Sequence, residues 1–319
     1  MNNHDIDISI IAPLYNEEQV FDLLIKRLQS VMDSCSFKCE AILINDGSSD
    51  NTAQLIEDIC KKDTRFTGVL LSRNHGHQIA VSAGMSYVRG KKGAMIIDGD
   101  LQDPPELVTE FYRLLNEGYD VIYAIRKNRK ESFLKKLAYA GYYRLQKKIS
   151  KFKIPIDSGD FSMLSRRVVD TVVSMPEQSR YLRGMRAWVG YKQIGYEYDR
   201  DERMAGETKY SWRKLFELAF NGIFNFSDFP VRLITRLGFI TVVFAMIYFI
   251  YNVYRKIFYN DVPQGFTATI LAIILFSGVQ LISLGIIGEY VLRIYDQVRN
   301  RPLYIIDKVV RDGKTDDAL

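Results

Sequence analysis

The sequence predicts an α/β domain built on a mostly parallel sheet, followed by interfacial helices and two transmembrane helices. In the first two-thirds of the chain, short apolar runs alternate with amphipathic segments, as they do in repeated strand–helix–strand units. Such units place helices on both faces of the sheet. Near the carboxyl end, two stretches of about 18 and 23 residues carry no charge, residues 237–254 and 266–288. Each is long enough to cross the hydrocarbon core of a bilayer.

Five strands are expected in the α/β domain, and a helix follows each of the first four. The predicted strands cover residues 6–12, 41–45, 68–71, 94–97 and 120–124. The predicted helices cover residues 17–32, 50–61, 78–89 and 105–117. Ligands of parallel sheets bind beyond the carboxyl ends of the strands. The loops expected to hold the site are therefore residues 13–17, 46–50, 72–78 and 98–105.

The net charge and the apolar stretches indicate which kinds of partner the chain binds. The chain of 319 residues has a net charge of +5, which suits an anionic membrane surface or a phosphorylated ligand. Because of the apolar stretches we favour a membrane and expect no nucleic acid. Cys35, Cys39 and Cys60 lack a zinc-binding spacing and are expected to be reduced thiols. The polar amino terminus lacks the features of a signal peptide, so the α/β domain is expected in the cytoplasm.

The charges that flank the apolar stretches predict their orientation. Arg232 and Arg236 precede the first stretch, and the second is followed by Arg293, Arg299, Arg301, Lys308 and Arg311. The positive-inside rule then places both termini in the cytoplasm, in a multi-pass protein of the inner membrane. The alternative is a pair of buried core helices. The expected division is a catalytic domain at 1–209, a juxtamembrane amphipathic helix at 210–231, two spans within 232–292 and a cytoplasmic tail at 293–319. Residues 132–153 are expected to form an interfacial helix or an ordinary surface helix.

The most specific chemical pattern is Asp98-x-Asp100-x-Gln102, directly after an apolar strand. If the chain stays extended, these alternate side chains lie on one side of the strand. Carboxylate and amide oxygens are ligands that Mg²⁺ or Mn²⁺ prefers, and such an ion keeps positions open for a diphosphate. A polar turn with solvated aspartates is the alternative. Pro104 and Pro105 end the strand and begin the next helix.

The end of the second strand and two loops also carry polar residues. Asp46 follows the second strand, where a carboxylate can accept hydrogen bonds from a uracil or ribose edge. His75 and His77 are too few for a metal site, so they are interpreted as loop residues near a nucleotide or as exposed polar residues. The basic residues Arg126 and Arg129 are candidates to hold an anionic acceptor, and a solvated basic loop is the alternative.

Three motifs, in this order, resemble the inverting GT-A glycosyltransferase family 2. They are Pro13-Leu14-Tyr15-Asn16-Glu17, Asp46-Gly47-Ser48-Ser49-Asp50 and Asp98-Gly99-Asp100-Leu101-Gln102-Asp103-Pro104-Pro105-Glu106. Gln102 and the double proline resemble the polyprenyl-phosphate glycosyltransferase branch, which includes dolichol-phosphate mannose synthases and bactoprenol glucosyltransferases. Two spans near the carboxyl end favour the bactoprenol glucosyltransferases. The resemblance covers nearly the whole chain, and its motifs specify the branch better than the sugar.

The resemblance implies a role for each group of residues. Gly159-Asp160-Phe161 resembles the acceptor-side motif, which makes Asp160 the candidate catalytic carboxylate and the nearby Asp157 its rival. The implied ligands of Mg²⁺ or Mn²⁺ are Asp98, Asp100 and Gln102. The implied nucleotide-sugar contacts are Pro13, Tyr15, Glu17, Asp46 and Asp98. The phosphate and acceptor contacts, which include a resembling basic loop, are Arg126, Arg129, Arg203 and Lys209.

The implied reaction is inverting transfer of glucose from UDP-glucose to undecaprenyl phosphate, giving a lipid-linked donor for modification of a surface glycan such as O-antigen. A homo-oligomer, such as a tetramer, is compatible with it. Alternative donors are GDP-mannose, UDP-GlcNAc and UDP-aminoarabinose. A processive polysaccharide synthase is a second alternative, although Gln178-Ser179-Arg180-Tyr181 departs from its Gln-x-x-Arg-Trp motif. A membrane scaffold that binds nucleotide-sugar without turnover is a third.

Overall fold

The computed structural model describes residues 6–127, 158–199, 229–259 and 265–317. In these residues nine strands form one sheet: β1 (Ile8–Leu14), β2 (Cys39–Asn45), β3 (Phe66–Leu71), β4 (Gly93–Ile96), β5 (Val121–Lys127), β6 (Ser158–Ser165), β7 (Gln193–Asp199), β8 (Ile306–Arg311) and β9 (Lys314–Asp317). The helices are α1 (Glu18–Ser34), α2 (Thr52–Lys62), α3 (His77–Ser86), α4 (Val108–Asn116), α5 (Arg166–Ser174), α6 (Leu182–Trp188), α7 (Phe229–Tyr259) and α8 (Phe266–Arg299). A 3-10 turn, Pro105–Leu107, precedes α4.

The strand order is β7-β5-β6-β4-β1-β2-β3-β8-β9. The central strands β4, β1, β2 and β3 are parallel, whereas β6 and β8 run antiparallel to their neighbours. All five predicted strands and all four predicted helices of the α/β domain are present, with bounds shifted by at most three residues. The prediction of an α/β fold with a parallel core is confirmed.

Helices cover both faces of the central strands, because successive side chains of a strand point to opposite faces. Ile8 and Ile10 of β1 are fully buried in a core with α1 and α4. The side chain of Ile11, the residue after Ile10, points to the opposite face and is fully buried in a second core with α3 and α5. With both faces packed, the edge where the parallel strands end is left for polar loops.

The end of the chain adds two strands to the sheet. Residues 293–319, expected as a cytoplasmic tail, include the last residues of α8, which ends at Arg299, and then β8 and β9. β8 pairs antiparallel with β3, in register Gly68↔Val310, and Val310 is fully buried. A strand of six residues rich in charge gives a weak sequence pattern, and only its partner β3 defines it.

Helices α7 and α8 are long and apolar enough to cross a membrane by length and composition. Their apolar segments cover Leu233–Tyr259 and Thr269–Arg299, with mean hydropathies of 2.1 and 2.5. The two helices pack against each other, and most of their aliphatic and aromatic side chains are exposed within the described part of the chain. They are therefore not core helices of the α/β domain. The predicted interfacial helix 132–153 lies outside the described residues, as does 210–231 apart from its last three, which belong to α7.

Candidate active site

The loops after β1 and β2 are joined by hydrogen bonds. The backbone amide of Asn16 donates to Oγ of Ser48 (3.0 Å), and the amide of Ser49 donates to Oδ1 of Asn16 (2.8 Å). Asn16 has a φ of 55°, a left-handed conformation that Asn tolerates better than most residues. Tyr15, predicted to contact the nucleoside, is 39% exposed at this edge. The amide of Glu17, a second predicted contact, donates to Oγ1 of Thr52 (3.1 Å).

Asp46 connects the loop after β2 to the loop after β3. Its carboxylate is 3% exposed and accepts hydrogen bonds from the backbone amides of His75 (2.7 Å) and Gly76 (3.0 Å). Burial raises the pKa of Asp46 and outweighs the opposing effect of these two hydrogen bonds. The described structure thus gives Asp46 a role in holding the loop, and its contact with a nucleoside stays a prediction.

Gly47 offers a test of this loop packing. Its φ is +63°, and a Cβ there would overlap the backbone of Arg73 and Asn74. Gly47→Ala is therefore expected to lower the free energy of unfolding by about 3 kcal/mol or more, through both strain and overlap. Gly118→Ala is the matched control, because its φ is +90° with nothing within 4 Å, so it should lose only about 1 kcal/mol. Equal thermal unfolding midpoints of the two variants in detergent micelles would contradict this packing.

The acidic motif after β4 forms a turn. The strand ends at Ile96, and Leu101, with a φ of 62°, is buried. The condition for placing Asp98, Asp100 and Gln102 on one side, an extended chain, is therefore not met, because the left-handed residue Leu101 interrupts the alternation of side chains. The turn is fixed at Gly99, where a Cβ would overlap Leu14 of β1. Within it, the amide of Gln102 donates to Oδ1 of Asp100 (3.2 Å).

The acidic turn still fits a divalent ion. Asp98 and Asp100 both lie beyond the carboxyl end of β4, and Asp98 has a side chain that is 25% exposed. Among the described residues no group of three or more His, Cys, Asp or Glu side chains is arranged to hold an ion. A site with two carboxylates suits Mg²⁺ or Mn²⁺, because these ions take further oxygen ligands from water and from substrate phosphates.

Asp160, at the start of β6, lies in a cluster of hydrogen-bond donors. Arg183 of α6 donates to both carboxylate oxygens (2.9 and 3.0 Å), and Nε2 of Gln78 donates to Oδ2 (3.1 Å). Nε2 of His77 lies 3.6 Å from the same oxygen. Burial opposes ionisation, but Arg183 and His77 outweigh it and hold the pKa of Asp160 well below its usual range. Asp160 is therefore an anion and a poor proton acceptor at neutral pH.

His77 joins the Asp160 cluster to the acidic turn. Its Nε2 lies 3.7 Å from Oδ1 of Asp98 as well as 3.6 Å from Asp160. Burial disfavours the charged imidazole, yet the hydrogen bond with Asp160 and the charges of Asp98 and Asp160 raise the pKa of His77 to about 9. A cationic His77 thus lies between two predicted site residues that are 62 positions apart in the chain.

The structure also brings Arg126 to this region. Its Nη2 lies 3.4 Å from the position that a Cβ on Gly159 would occupy, next to Asp160. Burial alone would lower the pKa of Arg126, but the nearby Asp103 and Tyr198 outweigh this effect and raise the pKa above its usual value. The guanidinium is therefore a cation. Tyr198 in turn donates to Oδ1 of Asp103 (2.6 Å). The other predicted site residues Asp157, Arg129, Arg203 and Lys209 lie outside the described residues.

Three residues of the Asp160 cluster were not predicted: Gln78, Arg183 and Arg186. Gln78 also accepts the backbone amide of Leu182 at Oε1 (2.9 Å), so it ties α3 to α6. Arg186 is buried and donates to the carbonyl of Gly159 (3.2 Å). The sequence contains a pattern that could have indicated the two arginines, because Arg180, Arg183 and Arg186 recur every third residue within an otherwise apolar stretch. An arginine that such an apolar segment buries needs a charged or hydrogen-bonded partner.

The fold and the site together define a class. A mixed sheet with a parallel core, helices on both faces and acidic residues beyond the strand ends agrees with the GT-A glycosyltransferase fold expected from the motifs. The model of the family described as glycosyl transferase family 2 matches residues 9–173. The chain belongs to this family.

Curated relatives extend the similarity over nearly the whole chain. The "Uncharacterized glycosyltransferase YkcC" of Bacillus subtilis (strain 168) is 42% identical over 97% of this chain and 95% of the relative. The "Prophage bactoprenol glucosyl transferase homolog" of Escherichia coli (strain K12) is 35% identical over 95% and 99%. The "SfII prophage-derived bactoprenol glucosyl transferase" of Shigella flexneri is 34% identical over 94% and 97%. At this coverage the similarity includes the apolar helices α7 and α8.

Proposed function

We propose that this chain transfers glucose from UDP-glucose to undecaprenyl phosphate, with inversion, at the cytoplasmic face of the inner membrane. The observation that carries the proposal is the similarity, over nearly the whole chain, to two proteins named for bactoprenol glucosyl transfer. The two long apolar helices support a lipid acceptor. A polyprenyl tail leaves the bilayer at a cost of about 0.8 kcal/mol for each CH₂ group, so the site must lie at the membrane.

The proposed reaction needs no strong base. An oxygen of the acceptor phosphate attacks the anomeric carbon, the bond from that carbon to the diphosphate oxygen breaks, and UDP leaves. A phosphate monoester has its second pKa near 6 and is mostly a dianion at neutral pH. This agrees with the low pKa of Asp160, which is held by Arg183 and His77. We assign Asp160 to orienting the acceptor and to stabilising positive charge on the sugar in the transition state.

The reaction also needs positive charge at the site, because the anionic acceptor phosphate must approach the anionic nucleotide-sugar. The cations near Asp160 can supply it. Among the described residues, Arg126 and Arg183 lie beside Gly159 and Asp160 and are proposed to attract the acceptor phosphate. Arg129, Arg203 and Lys209 are proposed to contribute further positive charge. Asp98, Asp100 and Gln102 would hold Mg²⁺ or Mn²⁺. When bound, the ion neutralises negative charge on the departing diphosphate. Tyr15 and Glu17, with Pro13 and Asp46, are proposed to form the nucleoside side of the site.

The test uses the full chain in proteoliposomes with Mg²⁺ or Mn²⁺ and radiolabelled undecaprenyl phosphate. The donor panel is UDP-glucose, UDP-GlcNAc, UDP-aminoarabinose and GDP-mannose. We expect UDP release from UDP-glucose that requires both the lipid and the ion, with one glucose on each lipid. A preference for another donor would correct the sugar. A growing glycan would indicate a processive synthase, and no release from any donor would indicate a scaffold.

A further inference from the structure

Three hydrogen bonds join the end of α8 to the loop between α5 and α6. Oε1 of Gln297 accepts the backbone amide of Gln178 (3.1 Å), and Nε2 of Gln297 donates to the carbonyl of Pro176 (2.7 Å). Nε2 of Gln178 donates to the carbonyl of Arg301 (2.9 Å). We call Gln178 and Gln297 the glutamine clasp. It joins residues 119 to 123 positions apart, and it uses both the donor and the acceptor of Gln297.

The clasp lies beside a cavity of about 490 Å³ between the same two surfaces. Glu177 and Met185 line the cavity on one side, and Arg293, Asp296 and Arg299 line it on the other. Close packing between α8 and the loop is interrupted there. The three hydrogen bonds of the clasp, together with the pairing of β8 and β3, are therefore direct polar contacts that orient the end of α8 against the α/β domain.

The clasped loop leads directly to the Asp160 cluster. Arg180 holds the loop to the end of α5 by donating to the carbonyls of Val172 (3.0 Å) and Met175 (2.8 Å). Two residues later the amide of Leu182 donates to Gln78, and Arg183 then donates to Asp160. A shift of the chain at Gln178 would thus reach both groups that hold Asp160 within five residues.

We propose that Gln178 and Gln297 are positioning residues that fix the Asp160 cluster relative to the membrane helix α8, and so relative to the phosphate of a lipid acceptor. This inference rests on the proposed function for the identity of the acceptor. The depth of a polyprenyl phosphate is set by its tail in the bilayer. The depth of the site is set by how the α/β domain is fastened to α8. A short, soluble prenyl phosphate has no fixed depth and does not need this fastening.

The test compares two acceptors and a graded set of variants of the full chain in proteoliposomes. Gln297→Met loses two of the three hydrogen bonds at similar side-chain size, and Gln178→Met loses one, because its backbone amide remains. Val298→Ala is the matched control, since Val298 on the same turn of α8 is 77% exposed. The acceptors are undecaprenyl phosphate and a water-soluble prenyl phosphate, each with UDP-glucose. Hydrogen exchange of residues 176–186 is measured in parallel.

In Gln297→Met we expect the KM for undecaprenyl phosphate to rise about tenfold, and in Gln178→Met about threefold. The KM for the soluble acceptor should stay within about twofold, and exchange in residues 176–186 should rise about tenfold in Gln297→Met. Equal losses on both acceptors, no loss on either, or unchanged exchange would overturn the inference. If the wild type glucosylates neither acceptor, the proposed function fails instead, and the exchange measurement still decides whether the clasp holds the loop.

Discussion

Replacing Asp100 by alanine is expected to lower kcat by about 10³-fold while the protein remains folded and bound to the membrane. The expected loss is that of removing one ligand of an ion that neutralises charge on the departing diphosphate. Asp100 is a cleaner test than Asp98, because Asp98 also lies 3.7 Å from His77 and its replacement would disturb the Asp160 cluster. The measurements are steady-state transfer of glucose to undecaprenyl phosphate and Mn²⁺ binding by titration calorimetry.

The matched control for Asp100 is Asp58→Ala. Asp58 is an aspartate of α2 that accepts a hydrogen bond from Gln54 in an exposed position, so its loss should change neither turnover nor Mn²⁺ binding. Excess EDTA should reproduce the effect of Asp100→Ala on the wild-type protein. Wild-type turnover in Asp100→Ala, or full transfer in excess chelator, would show that the acidic turn does not hold an ion that the reaction needs.

Asp160→Asn is expected to lower kcat by about 10²-fold with a change in nucleotide affinity of no more than about threefold. The substitution removes the negative charge of Asp160, which we propose stabilises positive charge on the sugar in the transition state. It also sets an amide NH₂ group against the donors Arg183 and Gln78, because only one side-chain oxygen remains to accept their hydrogen bonds. The measurements are kcat for transfer and the affinity for UDP-glucose.

A second aspartate separates this catalytic effect from a loss of stability. Asp120 is also buried and accepts hydrogen bonds from Arg167 and Ser165. It precedes β5, which runs parallel to β4 because both are antiparallel to β6, so Asp120 lies at the sheet edge opposite the site. Asp120→Asn should therefore lower the thermal unfolding midpoint but leave kcat unchanged. If Asp157→Asn rather than Asp160→Asn lowers kcat, then Asp157 is the catalytic carboxylate.

The acidic turn shows where reasoning from the sequence reached its limit. The strand 94–97 and its polar end could be predicted, because an apolar run followed by Asp, Gly and Pro is a local pattern. The direction of each side chain could not, since Leu101 takes a left-handed conformation that its own preferences disfavour. Burial of Leu101 and contact of Gly99 with β1 fix the turn, and both depend on the assembled sheet.

The sequence by itself determined the strands and helices of the α/β domain, the two apolar segments and the loops that hold polar residues. These follow from spacing and from residue preferences that act over a few positions. Only the tertiary structure decided that Gln78 and Arg183 meet at Asp160, that His77 lies between two carboxylates and that β8 joins β3. Such contacts join residues 21 to 242 positions apart. Packing of the whole chain selects these partners, so no local pattern specifies them.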